Sequence, residues 1–118
     1  MSVRELASRP GSMAHVPDCG YRWLELWRGD AIYGHAAIRE LEDAVELHLE
    51  MHSWRKSVFL ELRRDLNWLR AETRRLGKAR ILGMRAGHGT DVDEKLCRFA
   101  GLMGFGNMLT IQVMELRV

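Results

Sequence analysis

Val45-Glu46-Leu47-His48-Leu49-Glu50-Met51, then His52-Ser53-Trp54-Arg55-Lys56, then a helical pattern from Ser57 to Gly77, is the stretch that decides the fold. In its first seven residues every odd position is apolar and every even one polar, the period of a half-buried strand. The next five residues break the alternation. From Ser57 the apolar positions recur with helical period: Val58, Phe59, Leu62, Leu66, Leu69 and Leu76 share an arc of about 100°, the width of a core-facing stripe. Arg63, Arg70 and Arg74 line one rim of that arc, and Glu61, Asp65 and Glu72 the other. A strand feeding a helix N-terminus is where α/β proteins tend to place anionic ligands.

Upstream, residues 1–20 hold both prolines, Pro10 and Pro17, with Gly11 and Gly20 and little periodicity. They read as an irregular arm with at most a short helix over Val3 to Ser8. Tyr21 to Arg28 reads as a strand, Gly29-Asp30 as a turn and Ala31 to Leu41 as a second strand, so the pair forms a hairpin. Glu42-Asp43-Ala44 turns the chain into Val45 to Met51, the third strand of an antiparallel meander.

Downstream, Gly77 stands where a helix stop needs glycine. Ala79 to Ala86, through Ile81-Leu82-Gly83-Met84, reads as a strand covered on both faces. Gly87-His88-Gly89-Thr90 is a loop, and Asp91 with Glu94 makes a capping box. Val92, Leu96, Phe99 and Met103 give a second helix closed by Gly104, and Met108 to Val118 a last strand with a bulge near Val113. The expected class is α+β: a meander followed by β-α-β-α-β around a mixed sheet, with residues 21–118 as one domain.

Composition sets limits on function. The chain has 118 residues, 47% apolar and 29% charged, with 18 basic and 16 acidic side chains. A net charge of +2 gives no global field for nucleic acid or anionic lipid, so nucleic acid is not the expected partner. No apolar run is long enough to span a membrane. Arg4, Glu5 and Arg9 without an apolar stretch do not make a secretory signal, so an intracellular protein is expected. Cys19 and Cys97 lack paired spacing and read as reduced thiols, with no metal site expected. The tryptophans at 23, 27, 54 and 68 read as core or rim packing.

The order of elements resembles the GNAT superfamily of N-acetyltransferases over roughly Trp23 to Val118. Its most specific piece is Arg98-Phe99-Ala100-Gly101-Leu102-Met103-Gly104-Phe105, which looks like the family's arginine-aromatic run ending in a Leu-Gly-Phe-type stop. The second is the strand Val45 to Met51 turning through Arg55 into the long helix. The resemblance implies acetyl-CoA held by backbone N–H groups of a glycine-bearing turn before that helix. At that turn stand Arg55, Lys56, Ser57 and Val58, with Lys56 and Val58 where the family prefers glycine. Ala100 stands where many members carry a thiolate-protonating Tyr, and Asp93 where an Asn often opens the last helix.

Two main readings follow. In one the fold has lost acetyl-CoA chemistry, needs no cofactor, and serves as an interaction or assembly component. Compact, Arg-rich chains of this kind resemble bacteriophage-encoded proteins, in the host cytoplasm or in the particle. In the other it is an active N-acetyltransferase with a non-standard turn, Glu46 and His48 on the third strand being the candidates for base catalysis. A third reading, a nucleic-acid accessory protein, rests on Arg63, Arg70 and Arg74. A short N-terminal part also leaves sheet surface uncovered, so a protein partner or self-association is expected.

Overall fold

The structure is a computed structural model that describes residues 2–84, 94–106 and 116. These fall into two compact units, Met1–Ala86 and Gly87–Val118. In the first, five strands form one sheet in the order β1-β2-β3-β4-β5: β1 (Val3–Leu6), β2 (Arg22–Arg28), β3 (Ala31–Glu40), β4 (Ala44–Met51) and β5 (Arg80–Gly83). The first three pairings are antiparallel, and β5 lies parallel to β4 after the crossover through α1 (Lys56–Arg75). In the second unit α2 spans Glu94–Leu102, with Glu94 in its first turn. The expected Asp91 cap and the strand from Met108 to Val118 lie outside the described residues.

The alternation in β4 does what its period demands. Register pairs Leu47 with Ile38 and Leu49 with Ala36 on one face, and His48 with Ala37 and Glu46 with Arg39 on the other. On the first face Leu24, Leu26, Ala36, Ile38, Val45 and Leu47 are buried, as are Val58, Leu62, Leu66 and Leu69 of α1. The helix stops in a full Schellman arrangement: Lys78 N–H donates to Thr73 O at 3.0 Å and Gly77 N–H to Arg74 O at 2.9 Å, with Gly77 at φ +75°.

Three expectations need correction. Residues 1–20 are not an arm, and Val3 to Ser8 is not helical. Val3–Leu6 is the strand β1, paired with β2 from Val3↔Leu26 to Leu6↔Trp23. A 3₁₀ turn at Gly11–Met13 follows, and Met13 and Val16 join Trp23 and Ala37 in a small core on the sheet face opposite α1. That face is therefore partly covered by the segment expected to leave it bare. Thirdly, Ile81 and Leu82 in β5 are only half-buried, because β5 is the last strand of the described sheet.

One irregularity shapes the helix side. Pairing runs Leu26↔Gly34 and then Trp27↔Ile32, so Tyr33 is an extra residue on β3. This bulge turns Tyr33 toward α1, where its hydroxyl donates to Asp65 Oδ2, and Ser2 Oγ donates to Asp65 Oδ1. Asp65, placed by the sequence pattern on a rim of the apolar arc, is 5% exposed. Gly34 beside the bulge has no room for a side chain, since an added Cβ would sit 2.8 Å from Glu50 O.

Leu62→Ala is expected to cost about 2–5 kcal/mol by leaving a cavity under α1, whereas Leu60→Ala, on the exposed face, should stay within about 0.5 kcal/mol. Urea denaturation of the two variants measures this, and equal losses would mean the helix faces are misassigned.

Candidate functional site

On the sheet face away from α1, Glu46 is the centre of a polar cluster. The cross-strand pair Arg39↔Glu46 brings Arg39 Nη2 to 2.9 Å from Glu46 Oε1. His48, two residues along the same face, puts Nε2 2.9 Å from Oε2. The Tyr21 hydroxyl donates to the same Oε2 and lies 3.5 Å from His48 Nε2. An ionised carboxylate only accepts, so His48 Nε2 carries the proton here.

Burial raises the Glu46 carboxyl, but hydrogen bonds from Tyr21, His48 and Arg39 outweigh it and hold the group below the usual glutamate range. The same contact, after burial, raises Tyr21. Arg39 also lies over the Tyr21 ring, 4.8 Å from its centroid, and its Nε is a buried donor without a partner among the described residues.

A second cluster lies further along this face. His35 on β3 pairs in register with Glu25 on β2 and Glu50 on β4. Its Nδ1 is 2.9 Å from Ser12 Oγ in the 3₁₀ turn and 3.1 Å from His52 Nε2, while Nε2 faces Glu25 Oε2 at 3.8 Å. Burial and the neighbouring His52 lower His35 below the usual histidine range, with Glu25 opposing. His15 Nε2 lies 3.9 Å from Glu50 Oε2. Among the described residues no group of three or more His, Cys, Asp or Glu side chains has the geometry to hold a metal ion. Cys19 and Cys97 are both exposed.

The turn candidates stand apart from both clusters. Arg55 is the N-cap of α1, extended at φ −68° and ψ 149°, with no side-chain capping bond. Lys56 is exposed, Ser57 half-buried and Val58 4% exposed inside the helix–sheet core. What fixes the helix start is an aromatic pair: Trp54 before the cap and Phe59 in the first turn meet edge to face, ring centroids 6.0 Å apart. These are the N′ and N4 positions of a hydrophobic staple. So the structure gathers Glu46 and His48 with Tyr21 and Arg39, and places Arg55, Lys56, Ser57 and Val58 apart from them at the entry to α1. Sequence reading missed Tyr21 and Arg39, which strand register alone brings to Glu46, and the staple, which the five-residue Trp54–Phe59 spacing signals.

Comparison with known proteins supports the architecture. A transcriptional regulator from Bacillus halodurans C-125 superposes with a TM-score of 0.57 at 15% identity, covering 84% of this chain and 68% of that one. The fold is GNAT-like. A provisionally named acetyl transferase from Pyrococcus furiosus aligns at TM-score 0.49 and 12% identity, over 81% of this chain and 66% of that one. No family model and no curated protein sequence matches the chain. At such identities the likeness concerns the GNAT-like fold alone. No helix among the described residues is long and apolar enough to cross a membrane.

His35 is lowered in the folded protein, so between its folded pKa and the ordinary histidine pKa of about 6.5 the unfolded chain binds more protons. Stability is therefore expected to be full above about pH 6.5 and to fall as pH drops through the folded value. Melting curves across this range should show the loss in the unmodified protein and a shallower one in His35→Gln.

Proposed function

We propose that the chain is a GNAT-fold protein without acetyl-CoA chemistry, serving as an interaction or assembly component of the bacteriophage-encoded type. The observation that carries this reading is the entry to α1. A diphosphate cradle in this fold needs backbone N–H groups approachable without an intervening Cβ. From His35 to Leu76 the sequence contains no glycine. Val58 is spent on the core, and the Trp54–Phe59 staple fixes the first turn from outside. The residues present do not fit the cofactor.

The Glu46 cluster supports the same reading. A general base needs a pKa near the working pH and a lone pair aimed at its substrate. Glu46 is lowered rather than raised, is 5% exposed, and already accepts from three side chains. Its chemistry is that of a buried tie between β3, β4 and Tyr21, the residue just before β2.

Calorimetric titration with acetyl-CoA and with CoA is expected to give no saturable heat at micromolar concentrations. Thermal melts should show no stabilisation, although a ligand at 100 times its dissociation constant would add about 2.7 kcal/mol. A one-to-one isotherm of micromolar affinity overturns the proposal and makes Glu46→Gln and His48→Ala the next variants.

A further inference from the structure

The segment that caps the sheet face opposite α1 keeps its backbone hydrogen bonds to itself. Met13 N–H donates to Pro10 O, Ala14 N–H to Gly11 O, Val16 N–H to Met13 O and Cys19 N–H to Pro17 O, at 2.9–3.2 Å. Arg9 Nη1 closes the segment on Val16 O at 2.8 Å. Among the described residues, two polar contacts tie residues 9–19 to the sheet. Ser12 Oγ meets His35 Nδ1 at 2.9 Å, and His15 Nε2 faces Glu50 Oε2 at 3.9 Å. Both involve a histidine. The rest of the hold is apolar, Met13 and Val16 against Trp23 and Ala37.

Charged and titratable groups reach His35 from each neighbouring element. Glu25 on β2 and Glu50 on β4 stand beside it in register, and Arg4 on β1 stands beyond Glu25. His52 lies just past the end of β4, and Ser12 and His15 belong to the cap. Neutral His35 suits this setting. With Nε2–H toward Glu25, the Nδ1 lone pair accepts from Ser12 or from His52. An imidazolium donates from both nitrogens, so its Nδ1–H would face His52 Nε2 at 3.1 Å. Once His52 is charged as well, two donors and two positive charges share one gap. Ser12 Oγ can turn to accept, but from one ring. Glu25 gives little relief, since Oε2 is 3.8 Å away and Oε1 already accepts from Trp27 Nε1. His52 is exposed and meets water where it stands, whereas the His35 side chain is 12% exposed beneath the turn.

We propose that residues 9–19 are an acid-released latch: protonation of His35 beside His52 lifts the cap and bares Trp23 and Ala37 while the sheet and α1 stay folded. Burial and His52 lower His35 more than Glu25 raises it, so the closed form takes up the proton less readily than the opened one. The latch is therefore closed above the ordinary histidine pKa of about 6.5 and opens as pH falls through the closed-state value. His15 pulls the other way, because its charged form pairs better with Glu50. With side chains 58% and 44% exposed, that pair is screened by water and holds weakly. The latch and the entry to α1 share no residue, so the inference stands apart from the acetyl-CoA reading.

The test is hydrogen exchange of the full chain, read by mass spectrometry at about pH 7.5 and about pH 5 with labelling times scaled to the intrinsic exchange rate. Peptides covering residues 10–19 should lose protection at the lower pH. Peptides from β3, β4 and α1 should keep theirs, and the far-ultraviolet circular dichroism should not change. His35→Gln, neutral and still able to accept from Ser12, should keep the segment protected at both pH values. His52→Gln should move the opening to lower pH, and His15→Gln should leave the acid response in place. If His35→Gln is open at both pH values, His52→Gln decides, and an unshifted opening there overturns the proposal. Protection of residues 10–19 that ignores pH, an acid response that survives both His35→Gln and His52→Gln, or loss of sheet and cap together would each overturn it.

Discussion

Burial of one stripe of α1 against the sheet is the constraint on which the rest of the first unit depends. Val58, Leu62, Leu66 and Leu69 lose nearly all their exposure there. At about 1.5–3 kcal/mol for each fully buried aliphatic side chain, the stripe outweighs any single polar contact in the molecule. It also sets where the charges go. Asp65 sits within the stripe's turn of the helix and has to be partnered; burial raises it, while Ser2 and Tyr33 pull the other way. The β3 bulge exists at the place where Tyr33 can reach it. Glu72 is held by Arg75 and Arg22, which keeps it below the usual glutamate range. With the acids drawn inward, the helix's outward face is left basic.

The opposite sheet face solves a different problem in less chain. Trp23 and Leu24 are adjacent in β2 and both buried, so both sides of the sheet need cover. One side has a five-turn helix. The other has a single 3₁₀ turn and the residues just after it, from which Met13 and Val16 are almost fully buried, with Leu6 and Tyr21 packed beside them. So small an apolar cap covers the middle of the face and leaves its ends polar. The two ends are filled by the Glu46 and His35 clusters, each tying neighbouring strands through side chains rather than through packing.

The elements that were legible in sequence are those whose signal is a period. β4 alternates without a fault, α1 keeps its stripe, and Gly77 marks its stop, so the meander and the parallel crossover could be read directly. β1 could not: four residues, Val3-Arg4-Glu5-Leu6, are too few to show a period, and only pairing with β2 makes them a strand. The burial of Asp65 was not legible because a helical wheel assigns rims by angle, whereas burial depends on what the sheet presents opposite. Arg39 and Tyr21 lie 7 and 25 positions from Glu46, distances that only strand register closes.

Net charge is blind to placement for a related reason. It sums over the chain, while a partner meets a surface. Nothing in the composition distinguishes a glutamate that screens a neighbouring arginine in water from one turned inward and bound beneath it. That distinction arises only when the helix docks, because docking selects which side chains stay in solvent. Docking also sets the start of α1, where Trp54 and Phe59 meet edge to face across the N-cap as a hydrophobic staple.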